Sequence, residues 1–317
     1  MKESSCLMKR NCLVIGDLNV DLIVADINGP LEKGSEVNAR NHFLEIGGSG
    51  VIFAAVLSEL GIKTYIISKI SNDFFGNYLI ERLKSHGAGI DRILIEEDKD
   101  TGVTISLSYA EDKIQISSVE MVKKFNVSDI IFEGLGDIKH VHFSSYYMMD
   151  GLQEGYIKII SSIKKRYRGI TFSMDTNDDP LGRWGDEIYN ILPHIDIFLI
   201  NKKEALMITK KDNIDDALEK LSKIVKTVVI KLGIKGYIAK DNGHIYKGAS
   251  LNVDFKDSTG AGDNFDAGFI YGFLNNMGPE KSLHIGNICG AKSVEYLGGA
   301  GTKEKFNKIN DLIRKTI

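Results

Sequence analysis

Short apolar runs alternate with longer mixed ones along almost the whole 317-residue chain. The runs CLVIGDL, TYIISKI, HVHFSS, ITFSMDT, DIFLIN and TVVIKLG predict buried strands, apolar on both faces. Between them, GVIFAAVLSELG, FFGNYLIERLKSHG, EGYIKIISSIKKRYRG and IDDALEKLSKIV are helix candidates, and several end in the glycine that closes helices. Strand, helix and strand in repetition predict an α/β fold, a mainly parallel sheet sandwiched by helices.

One part breaks that rhythm. From Thr101, TGVTISLSYAEDKIQISSV alternates strictly: Val103, Ile105 and Leu107 face one way, Thr104, Ser106 and Ser108 the other. With the polar turn AEDK it predicts a β-hairpin with one solvated face. Residues from about Leu22 to Ile46 are similarly strand-prone. The expectation is a single domain over residues 1–317, with a small β-sheet lid from segments of about 22–46 and 101–118.

Composition narrows the class. A chain that is 43% hydrophobic and 26% charged is ordinary globular material, and a net charge of −3 gives no reason to expect a nucleic acid or an anionic membrane as partner. The run KKRYR (Lys164 to Arg168) is the solvated end of a helix. Cys6, Cys12 and Cys289 form neither a metal-spaced cluster nor a disulfide framework. Asp17, Asn19 and Asp21 interrupt the first apolar run, so it is neither a signal peptide nor a membrane span. The expected location is cytoplasmic.

In an open α/β sheet the ligand sits beyond the carboxyl ends of the strands. Asn19, Asp21, Asp175, Asn201 and Glu204 fall there, though each alone also reads as a cap or turn residue. The strongest chemistry lies in DSTGAGDNFDAG. Phe265, Phe269, Gly272 and Phe273 recur at spacings of three and four, so Gly260, Ala261 and Gly262 open a helix. A helix start presents backbone N–H groups and a positive dipole end, and missing side chains let a phosphate approach. Asp263 is then a positioned base for a hydroxyl attacking that phosphate. No G-x-x-x-x-G-K-[ST] loop occurs, and GGSGVIFAAV matches a dinucleotide fingerprint only loosely.

These residues resemble a family. DSTGAGDNFDAGF resembles the C-terminal signature of the ribokinase-like (phosphofructokinase-B) carbohydrate kinases, and EIGGSGVIFAAVLSELG their N-terminal Gly-Gly signature. SNDFFG, NKKEA and KLGIKG resemble three further motifs, in family order, from about Gly16 to Gly299.

The resemblance implies an ATP- and Mg²⁺-dependent kinase acting on a small-molecule sugar or nucleoside. It makes Asp263 the catalytic base and Gly260, Ala261 and Gly262 the anion hole. Asn19, Asp21, Gly47 and Gly48 match substrate-hydroxyl positions, and Asn201 and Glu204 a pair that organises Mg²⁺ through water. Lys231, Gly233, Gly236 and Asn287 fall where the family shapes its nucleotide site. Asp257 matches a position that in some members helps hold a monovalent cation, so K⁺ is a candidate. Some members dimerise through the lid, and a homodimer is expected on the same grounds.

Two departures bear on the substrate. Ribokinases proper read G-G-K-G-A-N, whereas this chain has Ser49 for the Lys and Ile52 for the Asn. Ile52 cannot hydrogen-bond a hydroxyl, and a site built for hydroxyls discriminates by as much as ~10⁴-fold. With Phe43, Tyr109, Tyr146 and Tyr147, Ile52 suggests a more apolar acceptor such as a nucleoside, or else core and lid packing. After Asp175 and Asn177, Asp178 stands where an Arg is common, and Arg183 is the candidate replacement. Competing readings are a nucleoside kinase, a non-catalytic binding relative, and a Rossmann dehydrogenase that would need NAD(P).

Overall fold

The computed structural model describes residues 10–97, 99–108, 113–134 and 136–316. The first half of the chain runs β1 (Asn11–Ile15), β2 (Asn19–Ile27), β3 (Ala39–Gly47), α1 (Ser49–Glu59), β4 (Thr64–Ser71) and α2 (Phe74–Ser85). Then come β5 (Ile93–Glu96), β6 (Gly102–Ser108), β7 (Lys113–Ser118), α3 (Glu120–Lys123), β8 (Ile138–Phe143) and α4 (Tyr156–Arg166). The second half runs β9 (Thr171–Met174), α5 (Ile188–Ile191), β10 (Ile197–Asn201), α6 (Lys202–Thr209), α7 (Ile214–Ser222) and β11 (Thr227–Lys231). It closes with β12 (Tyr237–Asp241), β13 (His244–Gly248), α8 (Ala261–Leu274), α9 (Gly278–Ser293) and α10 (Lys303–Thr316).

Nine strands form one sheet in the order β13-β12-β11-β10-β9-β8-β1-β4-β5. Pairing is parallel from β11 to β5, as buried apolar strands with crossover helices require. The β12–β13 hairpin continues it antiparallel, an extension that the expected strands do not include. Its turn is Asn242-Gly243, both at positive φ, the residue types that tight hairpins favour.

Helices cover both faces and create two apolar layers, one around Phe143, Phe172 and Phe198, the other around Phe53, Phe265 and Phe269. Helices α1 and α8 are buried over most of their circumference, so their apolar residues extend beyond a single stripe. Small residues let α8 and α9 touch: a Cβ on Gly272 would come within 2.7 Å of Ser282. Among the described residues, no helix is long and apolar enough to cross a membrane.

The second sheet, β3-β2-β6-β7, stands off the first. Asn19 and Asp21 belong to its strand β2, so the appendage begins three residues earlier than the sequence suggested. The structure also shows which of its faces meets water. Thr104 and Ser106 are buried, whereas Val103, Ile105 and Leu107 are half-exposed and Ile116 is 59% exposed. The polar face therefore turns toward the body of the protein and the apolar face toward solvent. The AEDK turn lies largely, and Tyr109 wholly, outside the described residues. Asp73 ties this sheet to the main one: Oδ1 accepts from Gly76 N, capping α2, while Oδ2 accepts from Thr101 N at 2.8 Å.

Candidate active site

The chain leaves β1 through Gly16 and Asp17 and enters the lid at Asn19. The buried Asp17 carboxylate accepts from Gly50 N at 3.0 Å and from Ser145 Oγ at 2.6 Å. It thereby fixes the first turn of α1, whose cap, Gly48, sits at φ 85°, a left-handed backbone that a Cβ would strain. Asn19 Nδ2 donates to Asp21 Oδ1 at 3.3 Å and to Thr104 Oγ1 at 3.1 Å. Gly47 packs against the Asp21 carboxylate, and a Cβ on Gly48 would come within 2.5 Å of Asn19 Oδ1. Asn19, Asp21, Gly47 and Gly48 thus meet at the base of the lid.

Asp263 occupies the first turn of α8. Its N-cap, Gly260, sits at φ 69°, and a Cβ there would come within 2.7 Å of Gly299 Cα. The Ala261 N–H donates to Ser258 O at 3.2 Å, so Ala261 does not offer its donor to a ligand. Among the described residues, the N–H groups of Gly260, Gly262 and Asp263 have no protein acceptor. They are the open donors of this helix start.

Burial, reinforced by Asp175 and Asp17 and opposed by Lys231 and a Ser49 hydrogen bond, pushes the Asp263 carboxyl up to about 7. Asn177 Nδ2 links the same region, donating to Ser49 Oγ at 2.7 Å and to Ser145 Oγ at 2.8 Å. Burial likewise raises Asp175, whose Oδ1 accepts from Ser145 N at 2.7 Å.

Lys231, at the end of β11, faces this acidic group and pairs with Asp266. Asn201 and Glu204 form a reciprocal capping box at the start of α6: Glu204 N donates to Asn201 Oδ1 at 2.9 Å, and Asn201 N to Glu204 Oε2 at 2.9 Å. Glu204 is buried, and burial raises its pKa against the pull of Lys231. Among the described residues, no three His, Cys, Asp or Glu side chains could cage a metal directly. The hard oxygens of Glu204 instead suit Mg²⁺ that keeps its waters and rides on phosphates.

Beyond Lys231, a cavity of about 520 Å³ is lined by Lys231, Gly233, Gly236, Ala261, Gly262 and Asn287, among others. Its apolar wall includes Ile234, Phe255 and Val294. Asn287 Nδ2 donates to Ala249 O at 2.8 Å, next to the lining residue Ser250. A flat base against the apolar wall and phosphates toward Gly262 fit this space.

Several candidates lie elsewhere. Ile52 is buried and packs beneath Gly260 and Gly299. Tyr146 and Tyr147 are core residues, the first tilted against Tyr156 and the second edge-on to Trp184. Only Phe43, half-buried opposite Ile23 on the inward lid face, offers apolar surface there. Arg183 is exposed, 3.8 Å from Asp150, and Asp178 pairs with Lys203 at 2.7 Å, so the structure does not bring Arg183 to Asp175. Asp257 closes the loop before α8, accepting from Thr259 N, Thr259 Oγ1 and Gly298 N. Asp17, Ser145 and Asp266 were missed as site residues; their positions at strand ends and one turn after Asp263 were the available signals.

A model of the pfkB family of carbohydrate kinases matches residues 9–305. The chain is 26% identical over 296 residues to an ATP-dependent 6-phosphofructokinase of Thermoanaerobacterium thermosaccharolyticum, covering 92% of this chain and 89% of that one. Among solved structures, an Escherichia coli chain assigned as ribokinase II and solved with ATP and Mg²⁺ superposes with a TM-score of 0.82 at 24% identity, covering 96% and 99% of the two chains. Adenosine kinase from Sinorhizobium meliloti superposes with a TM-score of 0.81 at 18% identity, covering 96% and 99%.

Proposed function

The chain belongs to the pfkB family of carbohydrate kinases, and we propose that it transfers the γ-phosphoryl group of ATP to a hydroxyl of a small sugar or sugar derivative. The observation that carries this reading is the position of Asp263. It follows Ala261 and Gly262 on the wall of the 520 Å³ cavity and hydrogen-bonds to Ser49, beside the Asn19–Asp21 cluster under the lid.

ATP lies in the cavity, with its base against Ile234, Phe255 and Val294 and its phosphates toward Lys231 and Gly262. Asn19 and Asp21 hold acceptor hydroxyls, and the absence of side chains at Gly47 and Gly48 lets the Asp21 carboxylate and the Asn19 amide lie against the backbone there. Asp263 takes the proton of the attacking hydroxyl. The open N–H groups of Gly260, Gly262 and Asp263 stabilise charge on the transferred group, aided by the positive end of α8. Glu204 and Asn201 order the waters of Mg²⁺, which neutralises phosphate charge when bound. A K⁺ ion beside Asp257 would have to share a carboxylate already engaged by three donors.

A nucleoside acceptor is the second reading, favoured by Phe43, half-buried on the inward lid face opposite the buried Ile23. The apolar outer lid face fits a second copy of this chain. The primary test is ADP release from Mg-ATP over a panel of pentoses, hexoses, keto-deoxy acids and nucleosides, with Asp263→Asn in parallel. Turnover that falls about a thousandfold or more in the variant supports the reading. Retention of the wild-type rate removes Asp263 as base, and nucleotide binding without turnover on any acceptor favours a binding-only relative.

A further inference from the structure

Lys305, in the first turn of α10, is fully buried, although most lysines keep their nitrogen in water. Its Nζ donates to Gly299 O at 3.0 Å and to Ala300 O at 2.9 Å. Among the described residues no carboxylate pairs with it. Room for the side chain comes from Gly301, where a Cβ would come within 2.5 Å of Lys305 Cδ. A buried amine with carbonyl partners and no counter-ion is costly to keep, so a structural or functional return has to offset it.

The carbonyls it holds belong to the segment beneath the α8 start. Asn264 Nδ2 bridges the same Gly299 O, at 2.8 Å, to Gly260 O, at 2.7 Å. Gly298 N donates to Asp257, and Gly260 packs directly on Gly299. Asn264 and Asp257 therefore fasten residues 298–300 to the turn whose N–H groups are open, and Lys305 holds the same segment from α10.

We propose that Lys305 is a positioning residue for phosphate binding: its Nζ clamps the Gly299 and Ala300 carbonyls under Gly260 and does the work that a bound monovalent cation would otherwise do. Carbonyl oxygens about 3 Å from a nitrogen cation resemble those that replace the water shell of K⁺. Burial pulls the Lys305 pKa down to about 7, with Cys289 and Glu45 acting in the other direction. Both the ammonium and the amine have enough N–H groups for two carbonyls, so the clamp persists on either side of that value. The inference rests on the kinase reading, because it assumes that the terminal phosphate of ATP meets the α8 start.

The test is calorimetric binding of Mg-AMP-PNP and Mg-ADP to the full chain, comparing wild type with Lys305→Met and Lys305→Ala. Melting temperatures establish that each variant is folded. Wild-type affinity should be the same in KCl and in tetramethylammonium chloride at equal ionic strength. Lys305→Met should weaken Mg-AMP-PNP by about tenfold while leaving Mg-ADP within about twofold. Methylammonium or K⁺ should restore much of the loss in Lys305→Ala, which a merely structural role would not allow.

Equal loss for both nucleotides, no loss, or a wild type that requires K⁺ would each overturn the proposal. If the Met and Ala variants do not fold, Lys305→Arg and the wild-type cation comparison decide it by the same criteria. Failure of the nucleotide site on which the proposal rests is distinguishable: wild type would then bind neither nucleotide.

Discussion

Lys231 Nζ lies 2.6 Å from Asp266 Oδ2, joining the last residue of β11 to the second turn of α8. Burial alone would lower the Lys231 pKa, but Asp266, Glu204 and Asp175 outweigh it and hold the lysine charged. One cation thus makes an otherwise repulsive cluster of acids tolerable.

Removing that cation should be expensive. Lys231→Met leaves Asp266 buried and unpaired beside Asp175 and Glu204, and loss of one partner of a buried pair costs about 3–5 kcal/mol. Asp266→Asn should cost less, because Lys231 keeps its other acidic neighbours. Urea denaturation of both variants checks the order. A Lys231→Met loss below about 1 kcal/mol, the range of exposed pairs, would show that the pair carries little.

The pH dependence of turnover follows from the same acids. Asp263 accepts a proton only when ionised, so kcat/KM should be flat above about pH 7 and fall as pH drops through that value. Because Asp263 and Asp175 influence each other, the limb belongs to the pair. The Ser49 hydrogen bond favours the ionised form, so Ser49→Ala should move the limb to higher pH. A limb that stays in place in this variant would show that Ser49 does not tune the base.

The layered architecture was legible because its parallel strands are apolar on both faces and separated by helices of sufficient length. The Gly260–Asp263 turn was legible because small residues, an acid and an apolar helix coincide there. Convergence in space was not. Asp17, Ser49 and Ser145 are far apart in sequence and meet only after β1, α1 and β8 are placed. Strands β12 and β13 carry exposed polar residues such as His244, which blurs their alternation, although Asn242-Gly243 marked the turn. Lys305 looks like one more solvated lysine in α10. The lid shows a deeper ambiguity: alternation in β6 identifies two faces but does not say which one meets water. Here a polar site claims the polar face.

The outward apolar face predicts the oligomeric state. Cross-strand register aligns Leu44, Leu22, Ile105 and Ile116 in one row on the outer face, with Val24, Leu107 and Ile114 in the next. A contiguous apolar sheet face of this kind is a pairing surface. Light scattering should give a dimer for the wild type and a monomer for Ile116→Asp. A monomeric wild type at micromolar concentration, or a dimeric variant, would exclude this face as the interface.

A last prediction concerns acid stability. His140 and His142 are fully buried on β8 and share Ser173 Oγ at 2.7 Å each. His140 also contacts Thr171 Oγ1 at 2.8 Å, and His142 Nε2 contacts Asp175 Oδ2 at 3.3 Å. Burial lowers both imidazoles to about 3, helped by His142 at His140 and by Lys231 at His142. The unfolded chain takes up these protons near pH 6.5, whereas the folded chain refuses them until about 3. Their contribution is therefore complete above about 6.5 and is lost as pH falls toward 3.

Asp175 and Asp263 act in the opposite sense: their raised values let the folded state hold protons that the unfolded chain releases above about 4. The net slope of the wild type mixes both effects, so the comparison with His140→Gln/His142→Gln is the informative one. Gln keeps hydrogen-bonding capacity without titrating, and the acids other than Asp175 keep their surroundings in both proteins. The variant should be less stable at pH 7.5 and should close that gap as pH falls to 5. A gap that stays constant across this range would mean that the two imidazoles are not what acid attacks.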